Sequence, residues 1–131
     1  MADLERARAM LRMAHKDFDA LVGMLENPLF ADEIFGFHIQ QAVEKALKAW
    51  LCIHGDTYPM THELARLLAL LEIQGIEVSA YWPLVQYTIF AVQARYEEGI
   101  TELDEPIDRG MEIQNVRALL VQVEYAITVQ G

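Results

Sequence analysis

Disulfides, flexible linkers and membrane spans are all missing from this sequence. Its one cysteine, Cys52, has no intrachain partner, which excludes a disulfide scaffold and points to a reducing, cytoplasmic setting. No stretch reads as a signal peptide, and no uncharged apolar run approaches the roughly 18 residues needed to cross a bilayer. Seven Gly and four Pro leave long segments without a helix breaker. Basic residues are scarce too, 10 against 20 acids, for a net charge of −10 and a pI near 4.7. A general nucleic-acid binder neutralises phosphates with clustered Lys and Arg, so binding to DNA is not expected here, although a small local basic site is allowed. What the chain has in quantity is apolar residues. At 53% they rule out a disordered tail, and 131 residues suffice for a single domain, residues 1–131, with its own core.

The apolar residues recur at helical spacing. Leu4, Ala7, Leu11, Ala14, Phe18, Leu21 and Leu25 form one stripe of a long amphipathic helix that Asn27-Pro28 should end. A second helix is expected from near Asp32, whose carboxylate suits a helix N-terminus, to about Ile53, where Gly55 stops it. Thr61 would cap a third helix through Leu64, Leu67, Leu68 and Leu71, ending before Gly75. Pro83 suits the first turn of a fourth, which continues through Val85, Ile89 and Val92 to about Arg95. Residues 97–108 hold six acids and no base, with Gly99 and Pro106 among them, and read as a solvated loop. From about Asp108 a fifth helix carries Ile113, Val116, Leu120, Val123 and Ile127. No segment alternates as a strand would. An all-α, up-and-down bundle of four or five helices is the architecture left.

The second helix is the informative one. On a wheel, Ala42, Val43, Ala46, Leu47, Ala49, Trp50, Leu51 and Ile53 spread over most of the circumference, as in a central helix. His38, Gln41, Glu44, Lys45 and Lys48 share the narrower face, with Ile34 and Phe37 among them. Singly these residues have ordinary explanations; Glu44 and Lys48, for example, form a favourable i,i+4 pair. Together they make a mixed stripe that suits contact with another helix, a second subunit or a ligand.

The run Phe37-His38-Ile39-Gln40-Gln41-Ala42-Val43-Glu44-Lys45-Ala46-Leu47-Lys48-Ala49 resembles the second-helix signature of HEPN domains, small helical proteins similar also to the C-terminal domain of kanamycin nucleotidyltransferase. Thr61-His62-Glu63-Leu64 resembles the family's Thr-His-(Asp)-Leu element, and Arg95-Tyr96 its Arg-Tyr near the end of helix four. The likeness covers roughly residues 5 to 127. Many HEPN proteins are metal-independent ribonucleases whose motif is an Arg followed, after four to six residues, by a His that moves the proton while the Arg stabilises the phosphate. Here Arg95 has its arginine counterpart, but Ile100, Thr101 and Glu102 stand where the His belongs, and no histidine follows His62.

The resemblance therefore implies a small HEPN-type protein without catalytic residues, forming a homodimer or pairing with a minimal nucleotidyltransferase in the manner of a toxin–antitoxin pair. Its contact residues would be His38, Gln41, Glu44, Lys45, Lys48, Arg95 and Tyr96. A second reading is a nucleotide-binding module, with Lys45, Lys48 and Arg95 on phosphates and Tyr96 stacked on a base. A third is a ribonuclease in which His38 or His62 replaces the lost histidine. No cofactor or metal is implied, since Arg66 occupies the place of the second histidine in a His-Glu-x-x-His zinc motif.

Overall fold

A computed structural model describes residues 3–91 and 105–130. Within them the chain forms four α-helices and one 3-10 segment: α1 (Leu4–Met24), α2 (Asp32–Ile53), α3 (Leu64–Ile73), the 3-10 segment Ser79–Phe90, and α4 (Arg109–Gln130). No strand occurs among the described residues. Helix α2 packs against all four other elements, and α1 lies along it as an antiparallel neighbour joined by a short turn.

The expected stripes are the buried ones. In α1, Ala7, Leu11, Ala14, Phe18, Leu21 and Met24 face the core, while Leu25 emerges into solvent. In α4, Ile113, Val116, Leu119, Leu120, Val123 and Ile127 do the same, and all four leucines expected in α3 are buried. All eight apolar residues of the expected α2 arc are buried, so this helix is central. Helices α2 and α3 end alike. Gly55 (φ 80°) and Gly75 (φ 81°) take the left-handed conformation, and in each case the glycine's own N–H and that of the residue after it close back onto the last turn. Gly55 donates to Cys52 and Asp56 to Leu51; Gly75 donates to Glu72 and Ile76 to Leu71.

Two helix starts differ from expectation in their caps. Asp32 opens α2, yet its side chain does not cap it. Its Oδ2 accepts the Ile107 N–H at 3.0 Å and its Oδ1 faces the Arg109 guanidinium at 3.1 Å, so it ties the start of α4 to that of α2. Arg109 also donates to the carbonyls of Met24, Asn27 and Phe30 at the α1–α2 turn, the first two of which accept the Asn27 and Phe30 N–H groups as well. Thr61 accepts only the Glu63 N–H, and α3 begins three residues later, at Leu64.

The fourth segment differs in winding. At three residues per turn, side chains at i and i+3 eclipse. Leu84, Tyr87 and Phe90 therefore share the buried face, while Val85 is half-buried and Ile89 is exposed. Pro83 lies in its second turn rather than its first. Val92, Arg95 and Tyr96, and most of the acidic run, lie outside the described residues. Of that run, Asp108 caps α4 by accepting the Met111 N–H at 3.1 Å.

Phe90 packs onto Gly36 of α2. A methyl group on Gly36 would sit 2.6 Å from Phe90 Cδ2, inside contact distance, and both residues are buried. The usual gain of about 1 kcal/mol in helix propensity on replacing Gly by Ala is thus set against an overpacking cost of about 1–3 kcal/mol. Gly36→Ala is expected to lower the urea midpoint. A raised midpoint would show that the Phe90 ring has room to move.

Candidate functional site

The polar face of α2 divides into two clusters, each organised by one carboxylate. The first is Asp17, on α1. Its Oδ1 lies 2.9 Å from His38 Nδ1 and its Oδ2 accepts Lys45 Nζ at 2.6 Å. Both partners come from α2 and are mostly covered, with side-chain exposures of 28% and 20%. Burial by itself would raise the Asp17 carboxyl, but hydrogen bonds from His38 and Lys45 outweigh it and hold the group below its ordinary value of 3.8.

The second is Glu44, one turn before Lys48. Its Oε1 accepts Gln40 Nε2 at 2.8 Å and lies 2.8 Å from His62 Nδ1; its Oε2 accepts Lys48 Nζ at 3.0 Å. Gln40 also donates to the His62 carbonyl at 3.1 Å, and Gln41 Nε2 donates to Gln40 Oε1 at 2.6 Å. Lys48 rests over the Tyr58 ring, 5.2 Å from its centroid. The Glu44 and Lys48 side chains are only 8% and 9% exposed. Desolvation opposes ionisation of Glu44, yet bonds from Gln40, His62 and Lys48 leave its carboxyl below the ordinary 4.5.

Five of the seven expected contact residues therefore belong to these two clusters: His38 and Lys45 to Asp17; Gln41, Glu44 and Lys48 to the Glu44 network. Arg95 and Tyr96 lie outside the described residues. Three further residues complete the clusters, namely Asp17, Gln40 and His62. Asp17 sits on another helix beside the Phe18 of the core stripe, and nothing local distinguishes it from the other α1 acids. Gln40 falls beyond the narrow polar arc and is fully buried, its amide serving as the link between Glu44 and the loop before α3.

Chemically, the lysine charges here are already met by carboxylates, and both Glu44 oxygens are occupied. His62 is the member that faces outward. Glu44 holds its ring through Nδ1, while 51% of the side chain stays exposed. Among the described residues no group of three or more His, Cys, Asp or Glu is placed to hold a metal ion. Cys52 is buried, and its thiol is pushed up by that burial, with Asp3 adding to the effect. Among the described residues no helix is long and apolar enough to cross a membrane.

Removing half of a buried ion pair leaves the other charge stranded, at a cost of about 3–5 kcal/mol. Glu44→Gln is expected to destabilise the fold by that order in urea titrations at neutral pH. The sign with pH follows from the lowered carboxyls. A group whose folded value lies below its unfolded one contributes stability above the unfolded value and loses it as the pH falls through the folded one. Acid unfolding should therefore set in below about pH 4, with a shallower pH slope in Glu44→Gln than in the parent. An unchanged slope would mean that Glu44 ionises alike in the folded and unfolded chains.

Comparison with known proteins agrees with this fold. No curated protein and no solved structure gives a match. The profile of the HEPN domain, by contrast, matches residues 7–127, from the first buried turn of α1 to the last buried residue of α4. A match of that extent, over a helical bundle whose second helix is central and carries the polar stripe, makes the chain a member of the HEPN domain family.

Proposed function

We propose that this HEPN protein works by association rather than by cleaving RNA, forming a homodimer and pairing with a minimal nucleotidyltransferase in a toxin–antitoxin-like unit. The observation that carries the reading is an apolar stripe on the outside of α4. Val121, Tyr125 and Val129 recur at i, i+4 and i+8, and the three residues are 59%, 63% and 62% exposed. Ala118 extends the row by a turn. On a helical wheel the stripe stands opposite the buried Val116, Leu119, Val123 and Ile127, so α4 is apolar on both sides. A helix that buries one face and leaves an apolar second face in water is suited to meet another helix. The nucleotidyltransferase partner rests on the family resemblance.

The non-catalytic part of the reading is supported by residue chemistry. Ile100, Thr101 and Glu102 stand where the ribonuclease motif needs its histidine. His38 is taken up by Asp17. A divergent ribonuclease is the second reading, favoured by one observation: His62 is oriented by a carboxylate and remains half-exposed, as a general base requires.

Light scattering during gel filtration should give a mass of twice 14.9 kDa, and Val121→Asp with Tyr125→Glu should halve it while the helical signal persists. A monomeric parent would overturn the dimer. Co-expression with a minimal nucleotidyltransferase encoded beside the gene should yield a complex that survives purification. Separately, the purified protein is expected to leave single-stranded RNA intact. Cleavage that disappears in His62→Ala would establish the second reading instead.

A further inference from the structure

The turn between α1 and α2 holds Pro28-Leu29-Phe30-Ala31, four apolar residues in succession and all exposed, Leu29 at 89%. Leu25 before them and Ile34 after them are exposed as well. A surface run of that length is unusual unless another molecule covers it. The turn is also held still. Asn27 Oδ1 accepts the Leu29 N–H at 3.0 Å, and the Asn27 carbonyl accepts the Phe30 N–H at 3.2 Å. Arg109, reaching over from α4, donates to the carbonyls of Met24, Asn27 and Phe30. Polar backbone groups of the turn are thus engaged by the protein itself, while its apolar residues stay in contact with water. A surface ordered in advance loses little further freedom when something binds it.

An open depression of about 650 Å³ lies at this corner, lined by Leu25, Pro28, Phe30 and Ala31 together with Glu26 and Arg109. The charge around it is nearly all of one sign. No Lys or Arg occurs between Lys16 and Lys45, so the end of α1, the turn and the start of α2 bring only acids, of which Glu26 and Glu33 are exposed. The Ile107 N–H rests on Asp32, which carries the exposed Glu105 and Asp108 to the same corner. Arg109 is the only Lys or Arg from 105 to 116. Its charge is already met by Asp32 at 3.1 Å, and its side chain is mostly covered.

We infer that the α1–α2 corner is a docking surface for a basic amphipathic helix of a partner protein. Large apolar side chains on one face of that helix enter the depression beside Leu25 and Phe30 and cover Leu29, while flanking Lys or Arg residues meet Glu26, Glu33 and Asp108. Charge decides among the possible occupants. Nucleic acid or an anionic membrane would bring more negative charge to a rim of carboxylates. A second copy, packed symmetrically, would set the same acids against themselves. Apolar anchors accompanied by positive charge match both parts of the surface. The exposed row on α4 is a different place, since the helix rises about 18 Å from Arg109 to Val121. Docking at the corner therefore does not depend on the association proposed above.

Fluorescence anisotropy with the full chain tests the inference, using a labelled peptide of about five helical turns with leucines at i, i+3, i+4 and i+7 and lysines elsewhere. This peptide should bind saturably. Its leucine–glutamate counterpart and a scrambled leucine–lysine peptide should bind about tenfold more weakly or not at all. Leu29→Asp combined with Phe30→Asp should weaken the leucine–lysine peptide about tenfold, because the apolar anchors lose their contacts. Two added acids would strengthen a purely electrostatic attraction, so the sign of the change separates docking from charge alone. Met60→Asp, at a residue 96% exposed on the α2–α3 loop, should not weaken binding. Glu26→Gln with Glu33→Gln should weaken it and flatten its salt dependence. Circular dichroism and mass in solution, measured on each variant, separate a lost contact from a lost fold or assembly. Absence of saturable binding at about 100 μM protein would overturn the docking surface. So would unchanged or raised affinity in the Leu29→Asp, Phe30→Asp variant, equal binding of the scrambled peptide, or sedimentation with phosphatidylglycerol vesicles that this variant abolishes.

Discussion

Glu44 sits on a helix enclosed by four other elements, and its charge is tolerated there because Lys48, Gln40 and His62 reach it together. An isolated carboxylate in such a place would give up its proton only at large cost. Three donors on two oxygens reverse that balance, and among the described residues no buried side-chain polar atom is left without a partner. Much else depends on this arrangement. The loop between α2 and α3 is drawn in through His62 and through Gln40 on the His62 carbonyl, which sets where α3 begins and how its leucines meet the core.

Two further polar ties share the pattern of one carboxylate joining distant pieces of chain. Asp17 fastens α1 to α2 through His38 and Lys45. Asp32 fastens α4 to the α1–α2 turn through Arg109, which also takes up three backbone carbonyls and lies over the Phe35 ring. A fourth tie is the buried bond from the Tyr87 hydroxyl to Glu112, with Asn115 donating to the other Glu112 oxygen at 2.7 Å. Burial and that carboxylate push the Tyr87 hydroxyl far up, so it stays protonated and remains a donor. Hydrophobic stripes bring helices together without choosing their register; directional ties of this sort add the choice.

The consequence for function is a division between helices. Helix α2 carries the most recognisable sequence, yet its charged groups largely face one another's counter-ions, leaving His62 as the exposed edge. The chemistry still available to outside molecules lies on α1 and α4. One carries Arg8, Arg12 and Lys16, which make no ion pair among the described residues, and the other an apolar row, Val121, Tyr125 and Val129, that is exposed.

How much of this was legible beforehand depends on the kind of interaction. The stripes of α1, α3 and α4, the glycine stops at Gly55 and Gly75 and the central place of α2 follow from periodicity and backbone chemistry, which act over a few residues and are written in order along the chain. The 3-10 winding of Ser79–Phe90 was not legible, because Val85, Ile89 and Val92 offer a plausible α-helical stripe; only packing selects Leu84, Tyr87 and Phe90, with the Phe90 ring seated on Gly36. The sequence placed His38, Gln41, Glu44, Lys45 and Lys48 on one face because 100° per residue is a local rule. It was silent on how that face divides between Asp17 and Glu44. That division needs Asp17, 21 residues before His38, and His62, 18 residues after Glu44, to arrive in the same space. Local order determined the helices and the family. The partners of each buried charge were decided by tertiary structure alone, since an ion pair joins groups by distance in space and not by separation along the chain.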